Sequence, residues 1–101
     1  MSTKNDPGPF DCYAKLASDE PYFLLRAKDP VAPFLVMAWA SLRAGDLKAA
    51  VIAVEEAEVA LVRSGRTLLP PDSPKSLEAV QCARQMAAWM VRKANENVVA
   101  D

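Results

Sequence analysis

Two long stretches of this chain hold nothing that stops a helix except one Gly-Asp pair. Both open on the same signal, a capping residue followed by proline: Asp29-Pro30 for the first, Ser73-Pro74 for the second. An aspartate or serine accepts a hydrogen bond from an N–H of the first helical turn, and a proline there forfeits only an N–H that has no partner. From Pro30 to about Ala44 the residues are nearly all apolar, including Phe34, Leu35, Val36, Met37, Trp39 and Leu42. Gly45-Asp46 interrupts, at a cost of about 1 kcal/mol for the glycine relative to alanine. The helix resumes at Leu47, runs to Arg63 or Ser64, and ends where Gly65 can adopt a left-handed conformation. A kink or a tight turn both fit Gly45-Asp46; the kink is preferred because the interruption is too short for a loop. The reading is therefore a helix over 30–64 with a break near Gly45, a connector through Pro70-Pro71-Asp72, and a helix over 74–95. In that last helix Val80, Ala83, Ala87, Met90, Val91 and Ala94 form an apolar stripe, which puts Gln81, Arg84, Gln85, Arg92 and Lys93 outside. The end, Glu96–Asp101, is expected to fray.

The N-terminal part has weaker signals. Residues 1–9 carry Pro7, Gly8 and Pro9 among polar neighbours and read as a flexible tail. Residues 10–17 suit a short helix with Phe10, Tyr13, Ala14 and Leu16 on one face; so short a helix must dock on something. Ser18-Asp19-Glu20-Pro21 breaks it, since the residue before a proline avoids helical geometry. No second strand-like run exists to pair with Tyr22–Ala27, so that segment is a connector. The fold class is all-α, in a single domain of 101 residues, near the low end of what buries a self-sufficient core.

Composition removes several functions. Hydrophobic residues make up 51% and charged residues 25%, which suits a globular chain. No apolar run reaches the ~18 residues of a membrane span, and the polar N-terminus is no secretion signal; a cytoplasmic protein is the default. A net charge of −1 and a pI near 5.4 argue against duplex DNA or RNA, which demand a basic face. There is no histidine, the commonest general base and metal ligand. Cys12 and Cys82 are far apart and read as small apolar fillers rather than zinc ligands. With three glycines and no phosphate loop, the chain reads as a non-enzyme without metal or cofactor.

Its apolar residues exceed what one partner helix hides. Ala49–Leu61 is apolar around more than one face, and each large side chain left in water forfeits about 1.5–3 kcal/mol. A homo-oligomer packed through its long helices follows, with Trp39 and Trp89 as core or interface anchors. Ala44–Ala50 resembles the turn of a tetratricopeptide hairpin, but no second copy recurs at the ~34-residue period.

The stretch from Asp19 to Pro33 crowds aromatic and basic residues against a helix start. The candidate cations are Arg26 and Lys28, with Arg63, Arg66 and Lys75 around the connector; the aromatic partners are Phe10, Tyr13, Tyr22 and Phe23. Aromatic faces stack on bases at about 1–3 kcal/mol each, and Lys or Arg pairs with phosphate. Lys28 also precedes a helix N-terminus, whose free N–H groups and dipole suit phosphate. Phe23 and Leu25 read as packing residues.

Phe10-x-x-Tyr13, Asp19-Glu20-Pro21-x-Phe23-x-Leu25-x-Ala27-x-Asp29-Pro30, then Ala32-Pro33 and Trp39-Ala40, resemble a family of small phage proteins. These are the anti-CBASS sponges, which sequester the cyclic oligonucleotide messengers of bacterial immunity. The resemblance implies a short N-terminal helix followed by two long antiparallel helices, assembled as a hexamer in the cytoplasm of an infected cell and devoid of catalysis. It implies that cyclic dinucleotides such as cyclic GMP–AMP bind between subunits, with Tyr13 stacking on a base and Lys28 meeting the phosphates. Some members take cyclic trinucleotides at a separate site through an arginine near the interhelix region, for which Arg66 and then Arg63 are the candidates. The competing expectation is a small helical protein-interaction module with no nucleotide ligand, and a third is a hydrolase that converts the ligand.

Overall fold

A computed structural model describes residues 3–9 and 12–100, and at 97–100 the backbone alone. The described residues form a 3₁₀ turn at Tyr13–Lys15 and three helices: α1 (Ala32–Arg43), α2 (Leu47–Ser64) and α3 (Pro74–Ala100). No strand occurs among them, as the all-α reading requires. Residues 23–76 make one compact unit; the arm up to Tyr22 and the chain from Leu77 onward make another.

In the first unit, α1 and α2 pack on each other as a hairpin. The segment read as one kinked helix over 30–64 is two helices joined by Ala44-Gly45-Asp46. The turn is tighter than a loop because each residue serves a helix end. Gly45, at φ +80°, takes the left-handed conformation; its N–H donates to the Leu42 carbonyl at 3.0 Å and the Asp46 N–H to the Ser41 carbonyl at 2.9 Å. Those paired bonds are a Schellman closure of α1. Asp46 then opens α2, its Oδ1 accepting from the Ala49 N–H at 3.0 Å. Gly65, at φ +68°, closes α2 as read.

α1 begins two residues later than Pro30. Asp29 Oδ1 accepts from the Val31 N–H at 3.1 Å, an Asx turn that delays the first helical residue to Ala32 and leaves Pro33 in the first turn. Ser73 caps α3 as read: its Oγ accepts from the Ser76 N–H at 3.3 Å, and Pro74 is the first helical residue.

The hairpin seam is made of alanine. Ala50, Ala53 and Ala57 on α2 and Ala32 and Ala38 on α1 are buried, and no large side chain among the described residues is fully so. Small side chains let two helices approach closely, but a buried methyl contributes only about 0.8 kcal/mol. The large side chains flank the seam in solvent: Trp39 is 64% exposed, and Leu42, Val51, Ile52 and Val59 are also exposed. Trp39 is thus not a core residue of the single chain. Phe23 and Leu25, read as packing residues, are exposed too.

The second unit departs further from expectation. The helix read over residues 10–17 is a single 3₁₀ turn at Tyr13–Lys15, followed by a turn in which the Glu20 N–H donates to the Ala17 carbonyl at 3.1 Å; Phe10 lies outside the described residues. α3 continues to Ala100 instead of fraying after Asn95. Its apolar stripe is also not the covered face. Val80, Ala83, Ala87, Met90, Val91 and Ala94 are exposed, whereas Ala79, Cys82, Met86, Trp89 and Lys93 are half-buried. The covered face is rotated by one residue, about 100° around the helix. The arm selects it, through contacts to Cys82, Trp89 and Lys93.

Candidate functional site

Folding α1 against α2 brings the start of one and the end of the other to the same end of the hairpin, opposite the Gly45 turn. Four of the five candidate cations lie at that end: Arg26, Lys28, Arg63 and Arg66, all exposed. The arrangement is held directly, because the Arg66 Nη2 donates to the Lys28 carbonyl at 2.8 Å. That bond ties the connector before α1 to the connector after α2 and fixes the Lys28 backbone beside a second cation. Arg26 takes part in the same turn, its carbonyl accepting from the Asp29 N–H at 2.9 Å. Arg63 stands slightly apart, lining a shallow groove with Phe34, Glu56, Val59, Ala60 and Ser64. Glu56 gives that groove an opposing charge, whereas Lys28 and Arg66 are joined through the Lys28 carbonyl.

The helix N-terminus beside Lys28 is partly satisfied already. The Val31 N–H bonds to the Asp29 carboxylate and the Ala32 N–H to the Asp29 carbonyl, so side-chain cations rather than free amides carry any attraction for phosphate there. Lys75 lies in the first turn of α3 and is exposed.

Two of the aromatic candidates belong to the arm. Tyr13 and Tyr22 meet edge to face, with ring centroids 5.8 Å apart and planes at 89°, a favoured geometry for aromatic pairs. Tyr13 is 69% exposed and Tyr22 53%. The Tyr22 hydroxyl is pushed above the ordinary phenol range, first by its hydrogen bonding with Tyr13 and then by that neighbour's charge on ionisation.

The arm is pinned by residues to which sequence reasoning assigned no such role. Cys82, read as filler, donates its thiol to the Tyr22 carbonyl at 3.4 Å, while Cys12 is exposed and fills no core. Lys93, placed outside from its helical position, pairs with Asp19 at 3.7 Å and Glu96 at 3.4 Å and stands 5.5 Å over the Trp89 ring. The Trp89 indole N–H is shielded from solvent without a hydrogen bond of good geometry. It does face the Asp19 carboxyl, whose pKa is held below the usual aspartate range chiefly by that N–H, with Lys93 adding to the effect. The spacing of Cys82, Trp89 and Lys93, seven and four residues, is the sequence signal that these three share one face.

No group of carboxylates and cysteines among the described residues is placed to hold a metal ion, and no helix among them is long and apolar enough to cross a membrane. Compared with models of known families, with curated proteins and with solved structures, the chain matches none.

Proposed function

We propose that this protein is a sponge: a helical homo-oligomer, hexameric by its resemblance to the anti-CBASS family, that binds cyclic oligonucleotides without cleaving them. Cyclic dinucleotides such as cyclic GMP–AMP are the first ligand class and cyclic trinucleotides the second. The observation that carries the reading is the bond from Arg66 to the Lys28 carbonyl, which puts two exposed cations at one end of the hairpin. Lys28 and Arg66, with Arg26 beside them, supply phosphate contacts; Tyr13 and Tyr22 on the arm supply faces for bases. A sponge needs affinity and no titrating group, which suits a chain without histidine. Its place of action is the cytoplasm of an infected bacterial cell.

The test is calorimetric titration with cyclic di- and trinucleotides, followed by denaturation and chromatography of the released ligand. Heat of binding and recovery of intact cyclic ligand support the sponge. Silence with every cyclic nucleotide sinks it, and linear product makes the protein a hydrolase.

The exposed stripe of α3 favours a second reading, a protein-interaction module that blocks a host protein. Leu77, Val80, Met90 and Val91 are each at least 46% exposed on that helix, and apolar surface of this kind marks an interface. The two readings separate on mixing: the module forms a stable complex with a macromolecule and ignores nucleotides.

A further inference from the structure

We infer that Asp19 is a positioning residue, closing a clasp with Trp89 and Lys93 that holds the arm on α3 and presents the Tyr13–Tyr22 pair. This rests on the sponge reading for what the pair is presented to, and on contacts within one unit for the clasp itself.

The clasp has a register. The Tyr22 carbonyl meets Cys82, and Asp19 meets Trp89 and Lys93. Three residues of extended chain reach about 10 Å, and the seven helical residues from Cys82 to Trp89 rise about 10.5 Å. Arm and helix therefore run antiparallel, Tyr22 attaching at Cys82 and Asp19 further along α3 at Lys93. Between them, Pro21 holds Glu20 away from helical geometry, which keeps the segment extended. On the other side of Asp19 the chain reverses: the Ala17 N–H donates to Glu20 Oε1 at 3.3 Å, closing the turn that returns Tyr13 to Tyr22. Asp19 sits inside that reversal, so its attachment fixes where the tyrosine pair stands along α3. Lys93 already has Glu96 and the Trp89 face. Asp19 is the arm's charged partner for Lys93 at 3.7 Å, and the solvent-shielded Trp89 N–H acts on the same carboxyl.

The experiment compares Asp19→Asn, Asp19→Glu and the wild type, first without ligand. Hydrogen exchange at the Lys15, Leu16 and Glu20 amides is expected to rise about three- to tenfold in Asp19→Asn, with α2 amides unchanged. The ring-current shifts of Tyr13 and Tyr22 should shrink with it, and Asp19→Glu should restore both. Unchanged exchange and unchanged ring shifts in Asp19→Asn overturn the clasp. Titration with cyclic GMP–AMP follows: the dissociation constant should rise by a similar factor in Asp19→Asn, and by nothing further when Tyr13→Ala is already present. An Asp19→Asn effect of full size in the Tyr13→Ala background overturns positioning through the pair. Loosened exchange together with a wild type that gives no heat leaves the clasp standing and removes the nucleotide reading.

Discussion

Replacing Met90 by glutamate tests whether the outer stripe of α3 is a subunit seam. Met90 is 66% exposed and Val91 59%, with Leu77 at 55% and Val80 at 46% on the same helix. Full burial of such a side chain contributes about 1.5–3 kcal/mol, so the remaining exposed part of Met90 is worth roughly 1–2 kcal/mol in each copy. Met90→Glu forfeits that burial and adds the cost of taking a carboxylate out of water, which itself reaches several kcal/mol when unpaired. A seam containing Met90 from two copies then weakens by at least about 3 kcal/mol, or roughly a hundredfold in the dissociation constant. Sedimentation velocity across a concentration series reads this directly: wild type well above the 11.0 kDa of one chain, Met90→Glu shifted toward it, Met90→Leu like wild type. Helix content by circular dichroism at each concentration shows whether the variant still folds. Wild type sedimenting as one chain at every concentration refutes the seam, as does a folded Met90→Glu that assembles normally.

Gly45→Ala should destabilise the hairpin by about 1–2 kcal/mol, measured as a lower urea midpoint with unchanged slope; a Cβ at Gly45 meets nothing within 4 Å, so the whole effect is backbone conformation. Tyr13→Ala and Lys28→Ala should each weaken cyclic dinucleotide binding while leaving the sedimenting species intact; loss of one stacked base, about 1–3 kcal/mol, sets the scale for Tyr13 at roughly 5- to 150-fold. Normal affinity in both would show that the site lies elsewhere. Acid should loosen the arm: the Asp19 carboxyl titrates below its unfolded range, so its contribution is fully present above that range and is lost as pH falls through the lowered value. Lys93 and the Trp89 N–H face it and Glu96 shares Lys93, so exchange at the Glu20 amide, after correction for intrinsic rate, should rise below the usual aspartate range, and less in Asp19→Asn.

Helix ends were legible because their signals are local. Asp46, Gly65 and Ser73-Pro74 act on backbone groups within four residues, and each did what its chemistry predicts. The cost of Gly45 inside a helix points to a kink, whereas its capacity for positive φ makes a turn. The covered face of α3 was not legible for a different reason. Apolar periodicity finds a stripe that favours burial, but tertiary contact with the arm covers a different, mixed face of α3. Cys82, Trp89 and Lys93 carry one thiol, one indole and one ammonium, a mixture that no hydropathy pattern groups. The gathering of Lys28 and Arg66 was hidden too, since 38 residues separate them and only the hairpin closes that gap.

The alanine seam ties these findings to assembly. Among the described residues five buried alanines hold the hairpin, while large apolar side chains such as Trp39 and Met90 are exposed in the single chain. Assembly of such chains would leave the alanine seam inside each copy and put the large apolar area between copies. When folded chains bind one another, stability depends on protein concentration, and any ligand seated across subunits adds to the same equilibrium. A residue at the hairpin's open end and a residue on the α3 stripe should then appear coupled through assembly. Affinities of the Lys28 and Met90 variants are therefore comparable only at one protein concentration. A Met90→Glu loss of nucleotide affinity that is recovered by concentrating the protein would assign the effect to the seam rather than to the site.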